Sequence, residues 1–380
     1  MNDAQCSFSV ALCRVGMNLL IAIFLLIILF PKLIRAQALP ENEMRTHFIN
    51  VGQGNATLLE FSCGAVLLDA GAEGPYTQAG LTRYLKRFFE RRTDLNSTLN
   101  LVVVTHAHTD HNAGLRDVLT GFRVLNYVDN GLRYGSGRVN QKWAQDNAKS
   151  KGIGYANYSY DQVVAAGGQK GITGPILVLP GCQDGPKISV LSGRFEKVPI
   201  GMTREELDAN GNLHSLVVKV VFGKSSFLFT GDLEEKAMHR VVELYKGSGT
   251  LDCDVWEVSH HGSYNGTTME WLDAVSPKYA VIPCGKWDSG KIGAKDNFNT
   301  YSFGHPRIAA LDMLQRKIGD KRSVLDSVVA FYGQRENHRK YKVTQNIYCN
   351  AWDGTVVIKA FKSGEYSMVT PTESLEAVSR

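Results

Sequence analysis

The sequence predicts an α/β fold in which two β-sheets pack together, helices lie outside them, and a polar site sits at one edge. Three observations predict it. Short apolar runs bounded by glycine recur in both halves of the chain, helix-spaced apolar residues lie between them, and polar clusters follow directly on the ends of those runs.

The N-terminus carries a different signal. Met17 to Phe30 is an unbroken apolar run, with Arg14 before it and Ala36-Gln37-Ala38 after it, which is the arrangement of a secretory signal removed near Leu39. A membrane-spanning helix needs about 20 apolar residues, so the rival reading is an uncleaved anchor that borrows Leu33 and Ile34. Either reading places the body of the chain, residues 39–380, outside the cytoplasm. Without residues 1–38 the chain carries 39 basic and 36 acidic residues, and a net +3 is too small to argue for nucleic acid by itself. Of seven cysteines, Cys6 and Cys13 lie in the N-terminal segment. Cys63, Cys182, Cys253, Cys284 and Cys349 remain, which permits two disulfides and one spare thiol without specifying the pairing.

The elements then follow in order. Arg45 to Asn50, Ala56 to Phe61 and Ala65 to Leu68 read as strands, the third ending at Asp69-Ala70-Gly71. Leu81, Tyr84, Leu85 and Phe88 recur at helical spacing with Arg83, Lys86, Arg87 and Arg91 on the other faces, so this helix covers a sheet. Leu101 to Val104 is a strand, followed by a short helix around Leu115 to Thr120 and a strand at Val124 to Val128. From about 130 to 200 the pattern loosens into glycine-rich, lysine-bearing sequence, read as an elaboration on the face of the site. There Lys142, Lys149, Lys151 and Lys170 alternate with Trp143, Tyr155, Tyr158 and Tyr160. They form either a stacking groove for single-stranded nucleic acid or, as the small net charge favours, a solvated strand pair. Strands at Ser215 to Phe222 and Ser226 to Phe229 lead into a helix from Leu233 to Tyr245. Strands at Asp254 to Val258 and Tyr279 to Ile282 follow, and a strand pair at about 345–365, joined through Asp353-Gly354, closes the chain.

The chemistry concentrates in Thr105-His-Ala-His-Thr-Asp-His111, directly after an apolar strand. His106 and His108 are two apart, so on an extended segment both imidazoles point the same way. Asp110 and His111 follow as the chain turns into a helix and face a second point nearby. Burying so many imidazoles without a cation leaves many donors and acceptors to satisfy, and imidazole with carboxylate suits two borderline divalent ions. Further ligands must come from elsewhere, and Asp232 and His260 also stand at strand ends. Alone, a Gly-Asp after a strand is more often a turn or helix cap.

Those residues, with Asp69 in LLDAG, Asp232 in FTGDL and the histidines of SHHGS, resemble the metallo-β-lactamase fold superfamily. FINVGQGNATLLE, VSHHGS and SFGHP look more narrowly like the extracellular hydrolase domain of ComEC-type competence proteins and their secreted relatives. The resemblance implies an αβ/βα four-layer sandwich of two mixed β-sheets flanked by helices. It implies that His106 and His108 hold one metal ion, that Asp110, His111 and His260 hold a second, and that Asp232 bridges them. Asp69 would orient a ligand histidine from behind. His214 is the candidate third histidine of the first site, and His261 is the alternative to His260. Asn55 stands where the uptake proteins carry the aspartate of Gly-Gln-Gly-Asp, which removes a carboxylate near the metals.

The implied activity is hydrolysis of a phosphodiester, possible nucleic acid included, by a water activated between two divalent ions, zinc or manganese, held by Asp110 and Asp232 among others. His261 or His305 would protonate the leaving oxygen, although a histidine in Gly304-His305-Pro306 also reads as a turn residue. The chain carries no membrane channel of its own. The alternatives are a small-molecule or cell-surface phosphodiesterase of the phosphocholine-esterase kind, a lactone or β-lactam hydrolase, and a secreted metal-binding protein without catalysis.

Overall fold

Alternation within single strands builds three layers of core at once. In the computed structural model, which describes residues 38–182, 184–286 and 300–369, the first strands are β1 (Glu43–Phe48), β2 (Thr57–Phe61), β3 (Gly64–Leu68), β4 (Thr98–Val103), β5 (Arg123–Asp129) and β6 (Gly154–Asn157). The second half adds β7 (Lys187–Ser192), β8 (Val217–Phe222), β9 (Ser225–Phe229), β10 (Val255–Glu257) and β11 (Tyr279–Ile282). The last are β12 (Lys321–Phe331), β13 (His338–Gln345), β14 (Ile347–Cys349), β15 (Val356–Phe361) and β16 (Tyr366–Met368). One mixed sheet runs β16-β15-β1-β2-β3-β4-β5-β6, and a second runs β14-β11-β10-β9-β8-β7.

Side chains two apart share a face. Leu59 and Phe61 of β2 and Val66 and Leu68 of β3 meet Val218, Val220, Phe227 and Phe229 of the second sheet between the two sheets. Phe48 and Phe229 touch across that interface with ring centroids 6.4 Å apart. The intervening residues Leu58, Ala65 and Leu67 face outward under α1 (Pro75–Arg91), which contributes Leu81, Tyr84, Leu85, Phe88 and Phe89. On the far side, Val217 and Leu228 pack under α2 (Glu235–Tyr245) and α3 (Ile308–Lys317). The order of layers is helix, sheet, sheet, helix.

Several expectations need correction. The segment 130–200 is not merely an elaboration, because β6 and β7 within it supply one edge strand to each sheet. Two of its rings pack within the fold: Tyr155 stacks on Tyr127 and donates to Asp129, and Tyr160 packs on Phe195. The two closing strand-like runs do not pair with each other, since β14 joins β11 in the second sheet and β15 joins β1 in the first. The pair β12–β13 forms a separate two-stranded ribbon. Cys63 and Cys182 are disulfide-bonded, while Cys253, Cys284 and Cys349 are buried thiols. The apolar run at 17–30 lies outside the described residues, and among those described no helix is long and apolar enough to cross a membrane.

Candidate metal centre

Four strands deliver the polar residues to one edge. β3 and β4 are parallel neighbours in the first sheet, and β9 and β10 are parallel neighbours in the second. Beyond their C-terminal ends lie Asp69, the 105–111 segment, Asp232, and the turn Ser259–Gly262. Backbone bonds then lock the ligand segment, with the Asn55 N–H donating to the Asp110 carbonyl at 2.8 Å and the Ala70 N–H to the His111 carbonyl at 2.9 Å. Gly71 is required for this approach, because a Cβ there would lie 1.5 Å from the Asp110 carbonyl oxygen.

Asp110, His111, Asp232 and His261 each direct one ligand atom into a common space, all within 4.8 Å of one another. His111 Nε2 lies 3.0 Å from Asp232 Oδ1, and His261 Nε2 lies 3.4 Å from the same oxygen and 3.3 Å from Asp110 Oδ2. The other oxygen of Asp232 faces His106 Nε2 at 3.9 Å, and His106 Nε2 in turn meets His108 Nδ1 at 3.1 Å. Asp232 thus presents one oxygen to each half of the cluster.

The donors fit a cation. His111 Nε2 and Asp232 Oδ1 are both buried and neither makes an aligned hydrogen bond, despite their proximity. Such orphaned polar atoms are costly unless something else satisfies them. The Nδ1–H of His111 donates to Asp69 Oδ2 at 2.6 Å, which leaves the Nε2 lone pair free to face the cluster. Asp69 is held in turn by the Thr105 amide at 2.7 Å and the Thr105 hydroxyl at 2.9 Å. His261 is oriented in the same way, through Nδ1 on the Pro283 carbonyl at 2.5 Å.

Electrostatics point in the same direction. Burial opposes charge on His111, yet Asp232 and Asp69 outweigh it and hold the ring well above its ordinary pKa. Burial likewise opposes charge on His261, but Asp232 and Asp110 push it up to about 10. The Asp232 carboxyl stays well below the usual range because His111, His261 and His260 overcome its burial. A field that retains protons on two buried imidazoles also favours a divalent cation in their place.

Two expected ligands, His260 and His214, turn away from the cluster. His260 and His261 both adopt left-handed backbone, at φ 51° and 53°, so consecutive rings diverge. His261 enters the cluster, whereas His260 turns to Asn265 Oδ1 at 3.0 Å and Asn212 Nδ2 at 3.4 Å. His214 has neither nitrogen to spare: Nδ1 accepts from the Phe195 amide at 3.0 Å and Nε2 donates to the Leu207 carbonyl at 3.0 Å. Burial holds it neutral, as that pairing requires. Asn55 does not face the cluster but lies behind Asp69, donating to Asp69 Oδ2 at 3.3 Å and to Glu257 Oε1 at 2.8 Å. His305 is buried beside the cluster, stacked on His261 at 5.9 Å, with Nδ1 against Gln53 Nε2 at 3.1 Å.

Sequence reasoning missed Glu257, Gln53 and Asn212. Glu257 is fully buried, pushed up to about 7 by that burial, and takes hydrogen bonds from Thr57 and Asn55. A lone carboxylate inside the apolar strand Val255–Glu257 was the available signal. Asn212 donates to Glu234 at 2.9 Å and keeps a buried, unpartnered Oδ1.

Residues 49–286 match the Metallo-beta-lactamase superfamily. The chain is 27% identical over 251 residues to Competence protein ComA of Neisseria gonorrhoeae, covering 66% of this chain and 28% of that protein. It is 32% identical over 108 residues to ComE operon protein 3 of Bacillus subtilis, 28% of this chain and 12% of that protein. The chain therefore spans well under a third of these curated relatives. Among solved structures, the metallo-beta-lactamase fold protein YhfI from Bacillus subtilis aligns with a TM-score of 0.40 and 11% identity, covering 80% of this chain and 99% of that chain.

Proposed function

Because the chain belongs to the metallo-β-lactamase superfamily, we propose that its buried His/Asp cluster is the centre of a metal-dependent phosphodiesterase, with nucleic acid as the substrate class, working outside the cytoplasm. The observation that carries the metal-dependent part is the convergence of Asp110, His111, Asp232 and His261 on one point. The choice of substrate rests on similarity to a relative named for competence. The disulfide between Cys63 and Cys182 supports an oxidising compartment.

Asp110, His111, Asp232 and His261 would hold one divalent ion, and His106, His108 and the second oxygen of Asp232 another. Such ions supply Lewis-acid stabilisation of a phosphoryl oxygen and lower the pKa of water. The chain's own residues do the rest. Asp69 and the Pro283 carbonyl fix the tautomers of His111 and His261, so their Nε2 atoms stay aimed at the centre. Burial, and then His260 and His261, keep His305 well below its ordinary pKa and therefore neutral. With the Gln53 amide donating to His305 Nδ1, the His305 proton sits on Nε2, available to a leaving oxygen.

The test is a substrate panel on the purified chain with zinc or manganese added back after chelation: linear DNA, RNA, an aryl phosphodiester, a phosphomonoester and a lactone. Metal-dependent cleavage of DNA or RNA is expected. Cleavage of the aryl diester alone would move the reading to a small-molecule phosphodiesterase, and cleavage of the lactone alone would overturn it.

A further inference from the structure

Cys284 and Cys349 were unpaired in the tally of thiols, but the fold brings them together. β11 and β14 are parallel neighbours with Ile282 opposite Cys349. Just past β11 the Cys284 amide bends back onto the Ile282 carbonyl at 3.1 Å, and the two sulfurs come to 3.1 Å, both atoms fully buried. A further approach of about 1 Å reaches bonding distance. The same chain already carries a closed bridge at Cys63–Cys182.

We propose that Cys284 and Cys349 form a second disulfide, and that this bridge pins the peptide that orients His261. Pro283, adjacent to Cys284, supplies the carbonyl that accepts the His261 Nδ1 proton. Gly285, on the other side, is wedged against the Gly52 backbone, where a Cβ would lie 2.5 Å from the Gly52 Cα. Asn350, next to Cys349, ties its end of the bridge to the first sheet by donating to the Phe48 carbonyl at 2.9 Å. The bond would therefore fasten the His261 support to both sheets.

Two thiols give up two protons and two electrons as the sulfur–sulfur bond forms. A disulfide-bearing oxidant, such as oxidised glutathione or a disulfide-exchange protein, accepts them and leaves as two thiols. Burial and the neighbouring Cys284 hold the Cys349 thiol well above its ordinary pKa in the folded chain. Closure therefore belongs to folding, before the thiols are enclosed.

The full chain is refolded with oxidised glutathione, and free thiols are alkylated under denaturing conditions. The remaining bridges are then reduced, alkylated with a second reagent and mapped by mass spectrometry. Cys284 and Cys349 are expected to carry the second label, as Cys63 and Cys182 do, with Cys253 carrying the first. Finding the first label on Cys284 and Cys349 overturns the bridge. The double substitution Cys284→Ala/Cys349→Ala is expected to weaken zinc binding about tenfold, in the range found when a ligand's outer support is loosened. Unchanged zinc affinity in a folded double variant would overturn the pinning role.

Discussion

His111 Nε2 and Asp232 Oδ1 stand 3.0 Å apart, buried and out of line for a hydrogen bond with each other. Two such atoms in a protein interior carry a cost that a shared cation removes. The substitution Asp232→Ala should therefore leave a folded chain that has lost more than about 100-fold in metal affinity, beyond the usual cost of removing an outer partner. Metal analysis after gel filtration reads this directly, and retention of tightly bound zinc or manganese would show that the shared point is not a metal site.

The three histidines assigned new places should separate cleanly. His261→Ala is expected to reduce metal binding severely, and His260→Ala only mildly, because only His261 faces Asp110 and Asp232. His214→Ala should spare metal affinity but cost stability of about 1–3 kcal/mol, since the Phe195 amide and Leu207 carbonyl are left unpaired. Zinc titration and urea unfolding of the three variants distinguish these outcomes.

Restoring aspartate at position 55 should harm this chain rather than improve it. Asn55 donates to both Asp69 and Glu257, so Asn55→Asp replaces a donor with a third carboxylate. The loss should be about 1–3 kcal/mol. Glu257 is raised to about 7 from an ordinary 4.5, so its own contribution to stability falls as pH rises from 4.5 through 7. The variant's deficit should accordingly be larger at pH 8 than at pH 6 by chemical denaturation. Equal stability of the two proteins at both values would contradict the placement of Glu257.

Acid should unfasten the far side of the first sheet through Glu60. This buried carboxylate bonds Arg92 Nη1 at 2.9 Å, Arg91 Nη2 at 2.8 Å and His47 Nε2 at 3.2 Å. Burial alone would raise its pKa, but His47, Arg91 and Arg92 bring it down to about 2 from 4.5. A depressed folded pKa contributes stability that is complete above 4.5 and is lost as pH falls toward 2, roughly 3 kcal/mol in all. The Glu60→Gln variant should show a flatter stability profile across that window, measured by thermal unfolding.

The parts of the fold and site legible in the sequence were those with a local cause. Strands at 101–103, 227–229 and 255–257 are short apolar runs, and each ends in a polar cluster, so the sites of Asp110, His111 and Asp232 could be found from spacing. Choosing between His260 and His261 could not be done that way. The two share every local feature, and only their left-handed backbone sends one ring inward. His214 was misread because its partners, the Phe195 amide past β7 and the Leu207 carbonyl in the short helix Arg204–Ala209, are backbone groups that no side-chain pattern reveals. The ribbon of β12 and β13 escaped notice because full burial in β12 is confined to Val328, Ala330 and Phe331 at its end, which leaves no alternation along the strand to mark it as half-buried.

The pairing of β1 with β15 joins Glu43 to Phe361 and Phe48 to Val356. A growing polypeptide that has already delivered every residue of the buried His/Asp cluster, from His106 to His261, still lacks the neighbour on one side of its first strand. Until residues 356–361 arrive, that strand is an open template for another chain. Synthesis order and assembly order are thus opposed, and residues 356–361 act as a latch that shields the first strand from self-association.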